Sequence, residues 1–398
     1  MFTTENWQAG KSIIRRLKEN GYEAVFVGGA VRDFLRQKVA NDIDIATCAL
    51  PEEVKLIFKR TVDVGLAHGT VLVIEDGVPI EVTTFRSDGE YEDHRRPTDV
   101  KFVRSLEEDL RRRDFTMNAL AMTESFQIID LFNGRRDLEN RLIRTVGNPI
   151  DRFKEDALRM LRAIRFSAQL DFSIDHQSLK AIQSCADDLS YVSVERVTAE
   201  LEKMWVSSNL HKGMTYLVSS QLADQLPGDF PFHHDKWSNL GNPQNALVCW
   251  AFLCLLQDEP SVTELTKAFR LSNESKGRIK QLVKATTIRS ERMFTVDDFY
   301  LFDEEILVHA ESLVHVWQIG IPPMPIETIL NNKRSLPIQS KSDLVVTGKD
   351  LMGWFSKRGG PWLKEALSAI EMAVLHQKVV NDATKIKEWI MNESNSEI

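Results

Sequence analysis

Asp42 and Asp44 are separated by one residue in a run, DIDIAT, that alternates polar and apolar positions. Strand side chains alternate, so both carboxylates would leave one face while Ile43 and Ile45 enter the core. Two carboxylates side by side repel, and a divalent cation relieves the repulsion. Mg²⁺ fits best, because it is commonly held by one or two carboxylates plus substrate phosphates. A two-metal version would hold the attacking and leaving oxygens of a displacement. The same pair would also serve as the solvated face of an edge strand, so neighbouring features must decide. Glu81, in IEVTTF, is a third carboxylate that either joins the pair or faces water.

Three further clusters suit an anionic, base-bearing substrate. VGGAVRD (Val27–Asp33) places two glycines between an apolar run and a helical one. Glycine permits close backbone approach to a ligand, and a helix start offers free N–H groups. Arg32 lies within reach of a phosphate there, although the P-loop signature is absent. RRRDFTMNAL (Arg111–Leu120) supplies three arginines and Asp114. In EDALRMLRAIR (Glu155–Arg165), Asp156, Arg159, Arg162 and Arg165 recur every third residue. Residues three apart are helix neighbours, so Asp156 and Arg159 would present an acceptor beside a donor. That pair matches the exocyclic amine and ring nitrogen of cytosine or adenine and mismatches uracil and guanine. Unpaired buried polar groups cost about 1–3 kcal/mol each, enough to reject both. Taken alone, each cluster also has a plain structural reading: a tight turn, a solvated helix start, an exposed salt bridge.

The elements that must position these residues fall into two styles. Up to about Gly147, strands and helices mix. Glu23–Gly29 reads as a strand entering a turn, and Thr70–Phe85 as two strands around Asp76-Gly77, a hairpin signal. Arg86–Asp99 is too polar to bury and reads as a mobile loop. Beyond Asn148-Pro149 the periodicity is helical, as in Asp151–Leu170 and Ser193–Ser208. Pro/Gly/Asn-rich breaks fall at Leu226–Pro231, Asn239–Pro243 and Gly320–Pro325. The expected fold class is α+β, a mixed-sheet head followed by helical domains.

Composition sets the outer bounds. A chain of 398 residues with 43% hydrophobic and 27% charged residues is an ordinary globular protein, ample for a large core. The longest apolar run, Ala246–Leu256, is too short for a membrane span and reads as a buried helix. The N-terminus reads as an amphipathic helix ended by Gly21, not as a signal peptide. Cys48, Cys185, Cys249 and Cys254 lack metal spacing and read as buried free thiols in a reducing, cytoplasmic setting. The net charge of −8 argues against nucleic-acid binding by bulk charge and leaves local basic patches to do it.

In order, GGAVRD, DIDIAT, IEVTTFR, DGEYEDHRRP, RRDFTMNAL, EDALRMLRAIRFSAQL and ERVTAEL resemble the class II tRNA nucleotidyltransferase family, the bacterial CCA-adding enzymes and poly(A) polymerases. The resemblance spans roughly Gly28–Leu201. VTGKDL (Val346–Leu351) and the helix after it look like the tail of Bacillus-type members. The resemblance implies a catalytic palm, a base-selecting neck, and a body and tail that hold tRNA. This divides the chain into 1–147, 148–210, 211–310 and 311–398. It implies that Asp42 and Asp44 bind Mg²⁺ and carry catalysis. Gly29, Arg32 and Arg113 would contact the incoming nucleotide, Asp156 and Arg159 would select CTP and ATP, and Arg162 and Arg165 would add nucleotide contacts. The role of Glu81 stays open. Oligomeric state also stays open, with a homodimer allowed.

Within the family, the chain ends in ESNSEI with no basic extension, which points away from a poly(A) polymerase. The DGEYEDHRRP loop points to full CCA addition over CC addition. His233-His234-Asp235 resembles the HD dipeptide of a phosphohydrolase domain that some members carry, but nothing clearly completes its metal set, and it reads as a loop.

Overall fold

A computed structural model describes residues 4–40, 42–65, 69–88, 100–257 and 261–396. The proposed mobile loop lies, beyond Asp88, outside the described residues until Val100.

The N-terminal helix α1 (Glu5–Glu19) buries Trp7, Ile13, Ile14 and Leu17 on one face. Each such burial is worth about 1.5–3 kcal/mol. Gly10 lets the helix press on the sheet, since a Cβ there would stand 2.6 Å from the Phe26 ring. The chain leaves the helix through Gly21 at φ +87, as the sequence predicts.

Among the described residues, the strands that follow in the head include β1 (Ala24–Val27), β2 (Asp44–Thr47), β3 (Thr61–Gly65), β4 (Thr70–Glu75), β5 (Val78–Thr84), β6 (Arg86–Asp88), β7 (Val100–Phe102), β8 (Leu120–Met122) and β9 (Ile128–Asp130). Seven form one mixed sheet in the order β3-β4-β5-β2-β1-β8-β9, while β6 and β7 pair separately. The β4–β5 hairpin turns at Asp76 (φ 52) and Gly77 (φ 83), both left-handed, as a two-residue turn of this type requires. β1 is wholly buried and runs antiparallel to β2, with Val27 opposite Asp44. β2 runs parallel to β5, with Asp44 opposite Glu81. The strand expected from Asp42 therefore begins two residues later. On the β1 side, pairing ends where Gly28 turns the chain away at φ +71.

Short helices flank the sheet: α2 (Gly29–Leu35), α3 (Pro51–Ile57), α4 (Leu106–Arg111) and α5 (Gly134–Glu139). Beyond them lie α6 (Pro149–Glu155), α7 (Leu158–Leu170), α8 (His176–Ser184) and α9 (Val194–Trp205). The helical run expected over Asp151–Leu170 is broken at Asp156, whose backbone is extended (φ −143, ψ 102). The cause is local competition for a backbone donor: the Asp156 carboxylate accepts from the Leu158 N–H at 3.1 Å and starts a new helix. α7 is almost entirely buried, and Arg159 and Arg165 are buried with it.

The chain separates into two compact units. One comprises Met1–His233 with Gly241–Gln244 and Ala268–Arg270; the other comprises His234–Leu240, Asn245–Lys267 and Leu271–Ile398. The second unit is helical. Its helix Ala246–Leu255 is the apolar run, buried along its length. All four cysteines are free and buried. The break at Gly320–Pro325 is fixed by a buried ion pair. Arg289 Nε donates to Glu311 at 2.5 Å, Arg289 also donates to the Pro322 carbonyl, and Glu311 accepts from the Met324 N–H at 2.7 Å. No described helix is long and apolar enough to cross a membrane.

Candidate active site

The strand register assembles the head site. Because Val27 faces Asp44 and Asp44 faces Glu81, the Gly28 turn and the half-buried Asp44 occupy neighbouring strand ends, with the exposed Glu81, in the middle of β5, beside Asp44. A Cβ on Gly28 would lie 3.5 Å from Asp44 Oδ2 and 3.4 Å from Arg113 Nη1. The turn thus sits against a carboxylate and a guanidinium, in a conformation that favours glycine. Burial pushes the Asp44 carboxyl above its usual range. The charges of Glu81 and Asp42 push it further, and Arg113 opposes them. Crowded carboxylates of this kind suit a divalent cation. Among the described residues no three His, Cys, Asp or Glu side chains form a metal cage. The neighbouring aspartate carboxylates are oxygen donors of the kind that fit Mg²⁺, which draws its remaining ligands from water and phosphate.

Arg113 is aimed by Asp109. Its Nη2 donates to Asp109 Oδ2 at 2.9 Å, while Arg112 Nη2 donates to Oδ1 at 2.7 Å. Burial alone would raise the Asp109 carboxyl, but Arg113 and Arg112 hold it below its usual range. Sequence reasoning missed Asp109, although its i,i+3 and i,i+4 spacing to these arginines is a helix-pair signal.

Arg32 lies beside the same turn, with Nη2 3.5 Å from where a Gly29 Cβ would be. Its Nε and Nη2 donate to Asp33 at 3.0 Å each, and Nη1 donates to Asn118 Oδ1 at 2.9 Å.

The helical residues connect to this head. Arg159 donates to Glu155 at 2.5 Å and to the Arg112 carbonyl at 3.1 Å, tying α7 to the arginine cluster. Asp156 accepts from Arg196 at 2.8 and 3.3 Å, a partner on α9 that sequence reasoning did not name. Arg162 forks onto Asp114 Oδ2 at 2.9 and 2.6 Å. Arg165 donates to Glu200 at 2.6 Å. Burial would raise the Asp114 carboxyl, but the Arg162 charge and the bond from Asn118 bring it down to about 2. Asp114 in turn raises Arg162, while burial lowers Arg165. Phe166 lies amid three guanidiniums, those of Arg165 at 4.0 Å, Arg32 at 5.4 Å and Arg162 at 5.5 Å from its centroid. Of the residues singled out in the sequence, Asp44, Arg113, Gly29 and Arg32 gather about the turn. Asp156, Arg159, Arg162 and Arg165 form an adjoining charged wall, and Asp42 is exposed just before β2. His233 pairs with Asp224 at 2.7 Å, and His234 caps the short helix that begins at Asp235.

Comparisons with known proteins give the chain its family. Residues 24–144 match the family model described as the poly A polymerase head domain. Residues 171–233 match a probable RNA and SrmB binding site of polymerase A, and residues 242–390 a second domain of tRNA nucleotidyltransferases. The chain is 43% identical over 399 residues to the CCA-adding enzyme of Bacillus cereus strain B4264, covering 97% of this chain and 98% of that protein. It is 43% identical over 396 residues to that of Bacillus anthracis, with the same coverage. Among solved structures it resembles the Bacillus stearothermophilus CCA-adding enzyme in complex with CTP, with TM-score 0.85, 39% identity and 99% of each chain covered. The Thermotoga maritima CCA-adding enzyme complexed with tRNA shares the fold at TM-score 0.62 and 21% identity, over 97% of this chain and 95% of that one. The chain belongs to the tRNA nucleotidyltransferase and poly(A) polymerase family, alongside the bacterial CCA-adding enzymes.

Proposed function

We propose that the chain adds C, C and A in turn to the 3′ end of tRNA, using CTP and ATP and releasing pyrophosphate. The observation that carries this reading is the Asp44 carboxylate, crowded by Glu81 and Asp42 and facing Arg113 across the Gly28 turn. Asp42 and Asp44 would hold Mg²⁺, with Glu81 beside them, and when bound it would supply positive charge where negative charge builds up on the reacting oxygens. Arg32, Arg113 and the Gly28–Gly29 turn orient the triphosphate. Positioning and charge stabilisation carry most of the rate in such transfers.

Asp156 and Arg159 select the base. A carboxylate has about four acceptor sites and a guanidinium five donors, so Asp156 keeps Arg196, and Arg159 keeps Glu155, while each spares a bond for cytosine or adenine. Arg162 and Arg165 hold the wall behind them. Head (1–147), neck (148–210), body (211–310) and tail (311–398) divide the work, the last two holding tRNA. On helix Asn273–Glu291, Lys276, Lys280 and Lys284 recur every fourth residue, the last two exposed. Their spacing is about 6 Å along the axis, a row suited to successive phosphates. The reading places the protein in the cytoplasm with its thiols reduced, and a homodimer is compatible with it.

The test uses a labelled tRNA transcript lacking its last three nucleotides, with Mg²⁺ and defined nucleotides. Two additions with CTP, three with CTP and ATP, and none with UTP or GTP are expected. A long ladder with ATP alone would reassign the chain to poly(A) polymerase, and a stop after two with both present would make it a CC-adding enzyme.

A further inference from the structure

Arg32 at the nucleotide turn and Arg162 on α7 are joined by two side chains. The Asn118 carbonyl oxygen accepts from Arg32 Nη1 at 2.9 Å, and its amide nitrogen donates to Asp114 Oδ1 at 3.1 Å. Asp114 Oδ2 then accepts the fork from Arg162. Asn118 is 7% exposed and Asp114 is 9% exposed, so water does not readily replace either partner. An amide suits the middle of this chain, since it presents an acceptor to a guanidinium and a donor to a carboxylate from two separate atoms at once. Aspartate there would face Asp114 with like charge, and leucine would leave Arg32 and Asp114 each short of a bond. The backbone N–H of Asn118 bonds the Phe115 carbonyl at 2.9 Å independently of this relay, whereas Asp114 Oδ1 accepts from the Phe115 N–H at 2.8 Å as well as from Asn118.

We infer that Asn118 is a positioning residue that sets Arg32 for the triphosphate and couples it, through Asp114, to the base-selecting helix. The inference rests on the nucleotidyltransferase reading, in which Arg32 meets the phosphates of CTP and ATP alike. Asn118 acts on whichever base is bound, because it works through the phosphate contact. Its loss raises the KM of both nucleotides together and leaves the KM for tRNA where it was.

The experiment compares full-length wild type, Asn118→Asp, Asn118→Leu and the exchange Asp114→Asn/Asn118→Asp in single-nucleotide extension, with thermal unfolding followed in parallel. In the exchange, the carboxylate now at position 118 would accept from Arg32. The amide now at position 114 would donate to that carboxylate and still accept from Arg162, so every bond between the side chains of this relay is restored. Asn118→Asp and Asn118→Leu are expected to raise the KM for CTP and for ATP about tenfold, equivalent to about 1.4 kcal/mol, with a smaller fall in kcat. The exchange is expected to recover most of that KM, while its melting temperature stays below wild type, because the amide nitrogen at position 114 cannot accept from the Phe115 N–H as Asp114 Oδ1 does. A protein that has only lost stability would show fewer active molecules, and so a lower kcat at unchanged nucleotide KM; that result overturns the inference. So does an exchange variant no better than Asn118→Asp. If Asn118→Asp does not fold, Asn118→Leu and the exchange decide by the same criteria. Failure of the underlying reading is separate, because there the wild type itself would not extend tRNA with CTP and ATP.

Discussion

The carboxylates of the head and those of the neck solve opposite electrostatic problems. Asp44 is flanked by Glu81 and Asp42, and its carboxyl is driven up by burial and by their charge. Asp114, more deeply buried, is brought down to about 2 because Arg162 and Asn118 more than offset burial. One region is left short of positive charge, and the other is internally satisfied. The difference separates two tasks. A cation and substrate that come and go need a site whose charge is completed only on binding. On the reading proposed above, a wall that selects bases would need side chains already fixed, which reduces the ordering cost when the nucleotide arrives.

The largest effects should follow from disturbing the unsatisfied region. Asp44→Asn should reduce nucleotide addition by on the order of 10³-fold, the scale of removing a key charge-stabilising group. It should not destabilise the metal-free protein, since it removes a crowded charge. Mg²⁺ should raise the melting temperature of the wild type, because it binds the folded state, and should do so less in Asp44→Asn. An Asp44→Asn protein that is less stable without metal, or equally stabilised by it, would remove the contrast with the neck.

In the satisfied region the balance of effects should reverse, with stability affected first. Asp114→Ala leaves Arg162 and Asn118 without their partner and should cost about 3 kcal/mol, the scale of breaking a buried pair. Its pH dependence follows from the lowered carboxyl. A group whose folded pKa lies below its unfolded one stabilises the fold above the unfolded value. That contribution disappears as pH falls through the folded value. The Asp114 contribution, about 2 kcal/mol, should therefore be complete above pH ~4 and be lost towards pH ~2. Urea midpoints of wild type and Asp114→Asn, measured along that range, should converge at its acid end. A constant gap would mean that Asp114 stabilises by shape and not by charge.

Arg159→Ala tests what the prepared wall is for. It should cost turnover modestly, by about tenfold, through loss of a hydrogen bond to a charged group. It should also admit UTP, because the donor that clashes with uracil's N–H is gone. Glu155→Gln should move selectivity less, since Arg159 keeps the Arg112 carbonyl as an acceptor. Unchanged discrimination against UTP in Arg159→Ala would leave the wall without a reading role.

The same contrast governs what the sequence made legible. The head was readable because its signals are local: a strand ending in two glycines, a hairpin at Asp76-Gly77, carboxylates one residue apart. The neck was readable as helix and as charge, but its pairings were not. The apolar periodicity runs on through Phe153, Leu158 and Leu161, so the break at Asp156 is silent in the pattern. It depends on a cap and on Arg196, forty positions away. Asn118 and Glu200 were invisible for the same reason, since a polar residue in an apolar stretch declares its partner only once the chain is folded. Glu81 lay between these cases. Its strand was legible, and its place beside Asp44 needed the parallel register of β2 and β5.

The smallest effect is expected on the lysine row of the second unit, where charge is neither crowded nor held in a buried network. Lys280→Ala and Lys284→Ala should leave the melting temperature unchanged, because solvated lysines on an exposed helix face contribute little to folding. If they meet tRNA phosphates, each should weaken tRNA binding and lower the slope of log affinity against log salt by about one. Nucleotide KM should stay put, which separates this surface from Asn118. Should the salt slope not change, the row is a solvated helix face, and the phosphate contacts lie on other basic residues of the helical half.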